Sequence, residues 1–170
     1  MKRYIYLNRM SNGINFCRKY SSFIKSDNTI LEAMINSKII IAIDKNIKVN
    51  TKVDIKENIY INDLDLCELL GNLLDNSIEA CERIERNRFI NIKIISVNSN
   101  LIIVIDNSMD GNININDNKY YSSKRNGVLG RGISQIDKIV NKYDGMIYRK
   151  HCNCIFETKI VMVNSERYIN

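Results

Sequence analysis

Residues 65–81, DLCELLGNLLDNSIEAC, restrict the possible folds of this chain more than any other segment. Their leucines recur at the three- and four-residue spacing of a helix that buries one face; they are Leu66, Leu69, Leu70, Leu73 and Leu74. Asn62 or Asp63 can cap this helix, because a short side-chain oxygen accepts hydrogen bonds from the free N–H groups of a first turn. We expect the helix to end near Glu85. The chain must therefore supply an apolar layer against which this helix packs.

Two more helices and several strands follow from the spacing of apolar residues. One helix, capped by Ser26 or Asp27, is expected to run to about Lys45, and another is expected over residues 133–143. The segments with strand character are 47–55, 89–97, 101–106, 146–150 and 155–163. Strands that alternate with helices and are joined in hairpins predict an α+β fold. The expected architecture is a two-layer α/β sandwich, with a mixed, mostly antiparallel sheet and helices on one face.

Residues 107–129 differ in character from the rest of the chain. They are rich in Asn, Gly, Ser and Lys and have no sustained apolar periodicity. The segment is also longer than an ordinary connection inside a compact domain, and such segments are usually functional lids or disordered. We expect residues 108–129 to be a mobile lid.

Hydropathy and charge disfavour two classes of function. The longest apolar run, residues 39–43, is far too short to cross a bilayer. The net charge of +6 comes from scattered basic residues that are not interleaved with aromatic ones, apart from a local group of Lys124, Arg125 and Arg131. We therefore expect a cytoplasmic domain that binds no nucleic acid and that reaches a membrane only through a segment outside this chain.

The five cysteines do not form a recognisable metal site. His151, Cys152 and Cys154 lie close in sequence, but the second half of a zinc-binding pattern is missing. Cys67 and Cys81 fall within the leucine-rich helix and are best interpreted as small buried residues in a reducing compartment.

Two amides interrupt the leucine-rich helix. Asn72 and Asn76 are four residues apart, so they lie on one face about 5.4 Å from each other along the axis. Asp75 and Glu79 repeat this spacing on the adjoining face. Buried amides bonded to neighbouring backbone, or a solvated polar stripe, would give the same pattern. A polar site on this helix is the alternative.

Two other segments carry groups suited to a phosphorylated ligand. Residues 127–132, GVLGRG, form a glycine-rich turn that leads directly into a helix, where backbone N–H groups and the helix dipole favour phosphate. Strand 103–106 ends in Asp106, whose carboxylate can accept a hydrogen bond from an exocyclic amine. Taken singly, the turn can simply reverse the chain and Asp106 can simply cap a turn.

Together these motifs resemble the GHKL (Bergerat-fold) family, which includes DNA gyrase and the histidine kinases. The segment 72–80, NLLDNSIEA, is similar to its N-box, 106–108 to its first G-box and 130–133 to its second. Within the family the chain is most similar to the catalytic domain of accessory-gene-regulator-type quorum-sensing kinases, including Ser122-Ser123-Lys124 ahead of the glycine turn. The resemblance covers residues 27–163.

The resemblance implies ATP and Mg²⁺ as cofactors. Asn76 is the implied Mg²⁺ ligand, Asn72 supports the metal or its water, and Asp106 contacts the adenine amine. The implied phosphate-binding group is Lys124, Gly130, Arg131 and Gly132.

Asn72 also bears on the type of reaction. Members of the family that hydrolyse ATP have a glutamate at this place to activate water, and an amide cannot act as that base. The resemblance thus implies transfer of the γ-phosphoryl group to a histidine in two-component signalling. Glu68, one turn earlier, could help to polarise the nucleophile, or it could be a solvated helix residue.

Two departures from the family limit what the chain can do alone. Ser108 and Asp110 replace both glycines of the first G-box. The only histidine, His151, lies after the glycine turn and not on a preceding helix. We therefore expect residues 1–25 to be the tail of a dimerisation region and residues 26–170 the catalytic domain. The expected partners are a histidine-bearing dimerisation domain, a response regulator and, in the full receptor, a second copy of the chain.

Two other functions are compatible with the same motifs. One is a free-standing serine kinase of the anti-sigma-factor type, which shares the fold and the size. The other is a degenerate nucleotide-binding interaction module without catalysis.

Overall fold

A computed structural model describes residues 22–112, 114–116, 119–121 and 131–168. Three α-helices share the pattern of one buried and one solvated face: α1 Thr29–Asp44, α2 Asp63–Glu82 and α3 Arg131–Lys142. The strands are β1 Lys48–Asp54, β2 Phe89–Val97, β3 Asn100–Ser108, β4 Asn114–Asn116, β5 Lys119–Tyr121, β6 Met146–Cys152 and β7 Ile155–Val163. A short 3₁₀ helix, Glu166–Tyr168, follows β7.

Five of the strands form one mixed sheet in the order β1-β2-β3-β7-β6. Only β1 and β2 are parallel, while the other neighbours are antiparallel. The β2–β3 hairpin turns at Asn98 and Ser99, both at positive φ, where asparagine and other short polar residues are tolerated. The expected α+β sandwich with a mostly antiparallel sheet is confirmed.

The core lies between the sheet and a single layer of helices. α2 is central, and it packs against α1 on one side and α3 on the other. Leu64 in its first turn is 78% exposed, but the other five leucines of α2 are at most 4% exposed. They face alternate residues of the sheet, among them Ile90, Ile92, Ile103 and Ile105, all of which are buried. The amphipathic pattern of residues 65–81 is thus satisfied by the sheet, as the sequence predicts.

Element boundaries differ from the sequence-based expectation at several places, including the following three. The side chain of Asn28, not that of Ser26 or Asp27, caps α1 by accepting from the Leu31 N–H at 2.8 Å. α2 ends at Glu82, three residues early. β3 continues past Asp106 to Ser108, because β7 supplies Ile155 as a backbone partner for that last residue.

The segment expected to be irregular contains the short strand pair β4–β5. Such three-residue strands are too short for apolar alternation to show in the sequence. Residues 113, 117–118 and 122–130 lie outside the described part of the chain, and so does half of the segment 108–129 that we expect to be a lid.

Residues 22–25 already pack against α1 and β1. The Ile24 backbone exchanges two hydrogen bonds with the Asn36 side chain, at 2.9 and 3.0 Å. Thr51 Oγ1 donates to the Ser22 carbonyl at 2.6 Å. The division between residues 25 and 26 stays a prediction. Among the described residues, no helix combines the length and the apolar character needed to cross a membrane.

Candidate functional site

The two amides of α2 lie on the face turned away from the sheet. Asn76 is exposed and Asn72 is half-buried, whereas the leucines on the other face are buried. Asn72 Nδ2 donates to the Glu68 carbonyl at 2.9 Å. This bond orients the Asn72 side chain and leaves Oδ1 directed away from its own helix. The amide pair therefore presents side-chain oxygens at the surface of the helix layer.

Gly132, in the first turn of α3, lies directly against both amides. A Cβ added to this glycine would be 2.9 Å from Asn72 Oδ1 and 3.7 Å from Asn76 Oδ1. The first distance is too short for a carbon next to an amide oxygen. Only glycine fits here without displacing Asn72. The glycine turn and the amide helix, about 56 residues apart in sequence, thus meet at one point, as their assignment to one site requires.

Charged groups surround the amide pair on α2. Lys38 of α1 forms an ion pair with Asp75 at 2.6 Å, where the lysine side chain is 18% exposed and the carboxylate 51%. This pair lies beside Asn76 in sequence and ties α1 to α2. Glu68 is exposed one turn before Asn72. Of the two acids near the amide pair, Asp75 is thus ion-paired and Glu68 is exposed to solvent.

Asp106 does not lie on the same side of the sheet as the amide pair. Its carboxylate accepts from Asn91 Nδ2 at 2.7 Å, and Asn91 Oδ1 in turn accepts from Asn50 Nδ2 at 2.7 Å. The three residues are cross-strand partners on β3, β2 and β1. They alternate with the buried Ile90 and Ile105, so they occupy the face opposite the helices. The structure therefore separates Asp106 from the helix layer.

Asn107, the next residue, is on the helix side. It follows Ile103 and Ile105 at the two-residue period of β3 and is 3% exposed. Its Nδ2 donates to the Ser108 carbonyl at 3.0 Å. The alternation of strand 101–107 already contains this information, because Asn107 has the same parity as the buried isoleucines. Sequence reasoning missed it by aligning the acid of the motif instead of following the strand period.

The end of β3 is held against the end of α2. Ser108 Oγ accepts from the Phe89 N–H at 2.9 Å and lies 3.4 Å from Cys81 Sγ. Burial raises the pKa of the Cys81 thiol, and hydrogen bonds to Ser108 and Phe89 oppose this only in part. Cys81 is therefore a protonated, buried contact that joins α2 to the sheet.

The remaining predicted residues fall into two groups. Arg131 is exposed at the start of α3, next to Gly132. Lys124 and Gly130 lie outside the described residues, so their assignment to phosphates stays a prediction. His151 is exposed on β6. Within the described part of the chain, no three His, Cys, Asp or Glu side chains come together as a metal cluster.

Solved structures with the same fold are catalytic domains of histidine kinases. The nucleotide-free catalytic domain of histidine kinase ThkA matches with a TM-score of 0.63 and 17% identity, over 83% of this chain and 94% of that one. The mycobacterial sensor histidine kinase MprB matches at 0.56 and 12% identity, over 79% and 93% of the two chains. AdeS from Acinetobacter baumannii matches at 0.55 and 16%, over 79% and 64%. At these identities the similarity establishes the fold.

Sequence comparison gives the family. No curated protein sequence matches the chain. A family model described as "GHKL domain" matches residues 61–163, which include α2, the five-stranded sheet except β1, and α3. This range is more than half of the chain, and it contains both the amide helix and the glycine turn. The chain belongs to the GHKL domain family and has the fold of a histidine kinase catalytic domain.

Proposed function

We propose that this chain is the ATP-binding catalytic domain of a sensor histidine kinase of the accessory-gene-regulator type. It transfers the γ-phosphoryl group of ATP to a histidine outside the chain. The observation that supports this most strongly is the contact of Gly132 with both Asn72 and Asn76. It joins a helix N-terminus, which favours phosphate, to two amide oxygens, which are suitable ligands for a hard cation.

The site fits Mg²⁺ bound through few protein ligands. Mg²⁺ usually keeps several waters and is bound by one or two protein oxygens plus substrate phosphates. Asn76, which is exposed, is assigned as the direct ligand, and Asn72 supports the metal or its water through Oδ1. Asn76 and Asn72 would hold the ion where it would neutralise charge on the phosphates during transfer. The bond from Asn72 to the Glu68 carbonyl holds the supporting oxygen in place.

The phosphates are assigned to the N-terminus of α3. Backbone N–H groups of a first helical turn have no partner within the helix and bear partial positive charge. Gly132 permits close approach because it has no side chain, and Arg131 beside it is exposed. Lys124 and Gly130 complete this assignment.

The nucleobase contact is assigned to Asn107 in place of Asp106. The Asp106 carboxylate already accepts a hydrogen bond from Asn91, on the face of the sheet opposite the helices. Asn107 is on the helix face, and its carboxamide offers an acceptor for the adenine amine and a second N–H for a ring nitrogen, the pairing that asparagine makes with adenine elsewhere. The altered first G-box therefore retains a group that can select adenine.

The chemistry is transfer and not hydrolysis. Asn72 has no basic group with which to activate water. The P–O bond to the β-phosphate breaks, a P–N bond to the acceptor imidazole forms, and ADP leaves. Glu68, exposed one turn before Asn72, is assigned to polarise the incoming imidazole.

The acceptor and the downstream partner lie outside this chain. His151 is on β6 of the five-stranded sheet, and the site is on the helix layer. The acceptor is therefore assigned to a dimerisation domain, of which residues 1–25 are the tail, in a receptor that can be a homodimer on the cytoplasmic side of the membrane. ThkA has been solved in complex with the response regulator protein TrrA, and a response regulator is assigned as the partner here as well.

Replacing Asn76 by alanine should remove the Mg²⁺-dependent part of nucleotide affinity. Loss of one direct ligand is expected to weaken binding by about tenfold or more, or about 1.4 kcal/mol. Calorimetric titration with a non-hydrolysable ATP analogue, with and without Mg²⁺, measures this. Asn141→Ala, at an exposed position on α3, is the control and should bind as the unaltered chain does. Unchanged affinity in Asn76→Ala would remove the metal assignment.

Gly132→Ala should weaken nucleotide binding by about tenfold while the fold stays intact. The added Cβ displaces Asn72 Oδ1, which is the end of a mobile side chain, so the change disturbs the site more than the core. Gly71→Ala is the matched control, because its Cβ would lie at an ordinary 3.5 Å from Met34 Cε. That variant should bind normally and gain about 0.5–1 kcal/mol of stability from helix propensity. Equal affinities in the two variants would contradict the assigned contact.

Phosphotransfer is the experiment that tests the function itself. The chain is incubated with labelled ATP, Mg²⁺ and a dimerisation fragment carrying the acceptor histidine. We expect an acid-labile phosphoramidate on that fragment and none on a His→Ala fragment. Transfer to serine of a partner would instead indicate the anti-sigma-factor type of kinase. Nucleotide binding without any transfer would indicate an interaction module.

A further inference from the structure

α2 and α3 pack antiparallel, with a close approach at the start of α3 and hydrogen bonds at its end. At the start, a Cβ on Gly132 would lie 2.9 Å from Asn72 Oδ1 and 3.7 Å from Asn76 Oδ1. Lys142 and Tyr143, at the end, bind Asp65 in the first turn of α2. Between the two ends the buried residues of α3 are Ile136, Ile139 and Val140. Apolar packing is non-directional, so the hydrogen bonds at the end of α3 are the contacts that can set its tilt.

Asp65, Lys142 and Tyr143 form what we call the pin. Asp65 Oδ2 accepts from Lys142 Nζ and from the Tyr143 hydroxyl, both at 2.6 Å. The same hydroxyl accepts from the Asn62 N–H at 3.0 Å. One tyrosine oxygen thus joins the end of α3 to both the capping residue and the first turn of α2. Removing it takes this partner from the Asn62 N–H and leaves the Asp65 carboxylate with Lys142 alone, at a site where Tyr143 is 1% exposed.

The electrostatics favour a charged Asp65. Burial alone raises the pKa of the Asp65 carboxyl, but the hydrogen bonds from Lys142 and Tyr143 outweigh it, and the pKa lies below its ordinary value. Burial and the bond to Asp65 raise the pKa of the Tyr143 phenol. At neutral pH the bond from Tyr143 to Asp65 therefore joins a neutral donor to an ionised acceptor. Such charge-assisted bonds are stronger than those between two neutral groups.

Residues 167–168 pack against Tyr143 and the residue that follows it. The rings of Tyr143 and Tyr168 meet edge to face at 4.9 Å. Tyr168 donates to Asp144 Oδ2 at 2.8 Å, and Arg167 binds the same carboxylate. These contacts hold the last turn of α3 in one orientation.

A small movement at the pin has a large effect on the proposed site. The ten residue-to-residue steps from Gly132 to Lys142 span about 15 Å of helix. Over that length a tilt of about 4° shifts the start of the helix by about 1 Å. A displacement of this size at a reacting centre can have a large effect on binding and rate. The space at Gly132 is small, because a Cβ at this position would already lie 2.9 Å from Asn72 Oδ1.

We propose that Asp65 and Tyr143 are positioning residues for the nucleotide: they set the tilt of α3 and thereby hold Gly132 against Asn72 and Asn76. This rests on the proposed function of that site. The pin itself contacts neither the nucleotide nor the metal. It acts through α3, the helix that follows the glycine turn.

The principal variant is Tyr143→Phe in the full chain, which keeps the ring and removes the hydroxyl. We expect the Kd for an Mg²⁺-bound ATP analogue to rise about five- to tenfold. The backbone amide resonance of Gly132, about 15 Å away, should shift in the absence of nucleotide. Tyr60→Phe is the matched control, because it removes a similar tyrosine–carboxylate bond, from Tyr60 to Glu166 at 2.9 Å, that does not involve α3. It should lower stability without changing the Kd or the Gly132 resonance.

Lys142→Met provides a second test at a side chain that is 60% exposed and hence tolerant of substitution. It should raise the Kd about twofold or more, while Lys138→Met, which removes an exposed charge from the same helix, should not. The proposal is overturned if Tyr143→Phe and Lys142→Met bind the nucleotide with the same Kd values as their controls. If Tyr143→Phe fails to fold, Lys142→Met decides alone. An effect on Kd no larger than that of Lys138→Met then overturns the proposal. If the unaltered chain binds no nucleotide, the proposed function fails, and the Gly132 resonance in the variants decides the positioning claim alone.

Discussion

Burial of the leucine face of α2 against the sheet is the interaction on which the rest of the structure depends. Each fully buried leucine contributes about 1.5–3 kcal/mol, and five of them are at most 4% exposed. A single hydrogen bond contributes about 1 kcal/mol net. The leucines therefore decide how α2 is rotated about its axis. Once they face the sheet, Asn72 and Asn76 must face outward, because neighbouring residues of a helix are separated by about 100°.

The site follows from this rotation and from one glycine. The amide face of α2 presents two side-chain oxygens but no group that binds a phosphate. α3 brings its N-terminus to the same place only because Gly132 has no side chain. The antiparallel arrangement is completed at the opposite end by Asp65, Lys142 and Tyr143. The proposed metal ligands and phosphate-binding groups therefore come from two helices, and by our proposal the contacts at Asp65 and Tyr143 set the tilt between them.

The sequence was sufficient to predict the elements that carry strong periodicity. The buried face of α2, the β2–β3 hairpin and the mostly antiparallel sheet all follow from local patterns. The cap at Asn28 was missed because several short polar residues precede α1 and any of them can cap it. Asp106 was assigned from the identity of its side chain, whereas the strand period places Asn107 on the helix side. The contact of Asp65 with Tyr143 could not be predicted, since it depends on how two distant helices pack, and local sequence contains no such information.

The central claim is that one face of the helix layer, built from α2, the end of β3 and the start of α3, binds the nucleotide. Its most direct test is a titration of the isotopically labelled chain with an Mg²⁺-bound, non-hydrolysable ATP analogue, followed by the backbone and side-chain amide resonances. The largest shifts are expected at Asn72, Asn76, Asn107 and Gly132, with little change at Asn50 and Asn91 on the opposite face of the sheet. Shifts concentrated on that opposite face, or no saturable shifts at all, would contradict the account.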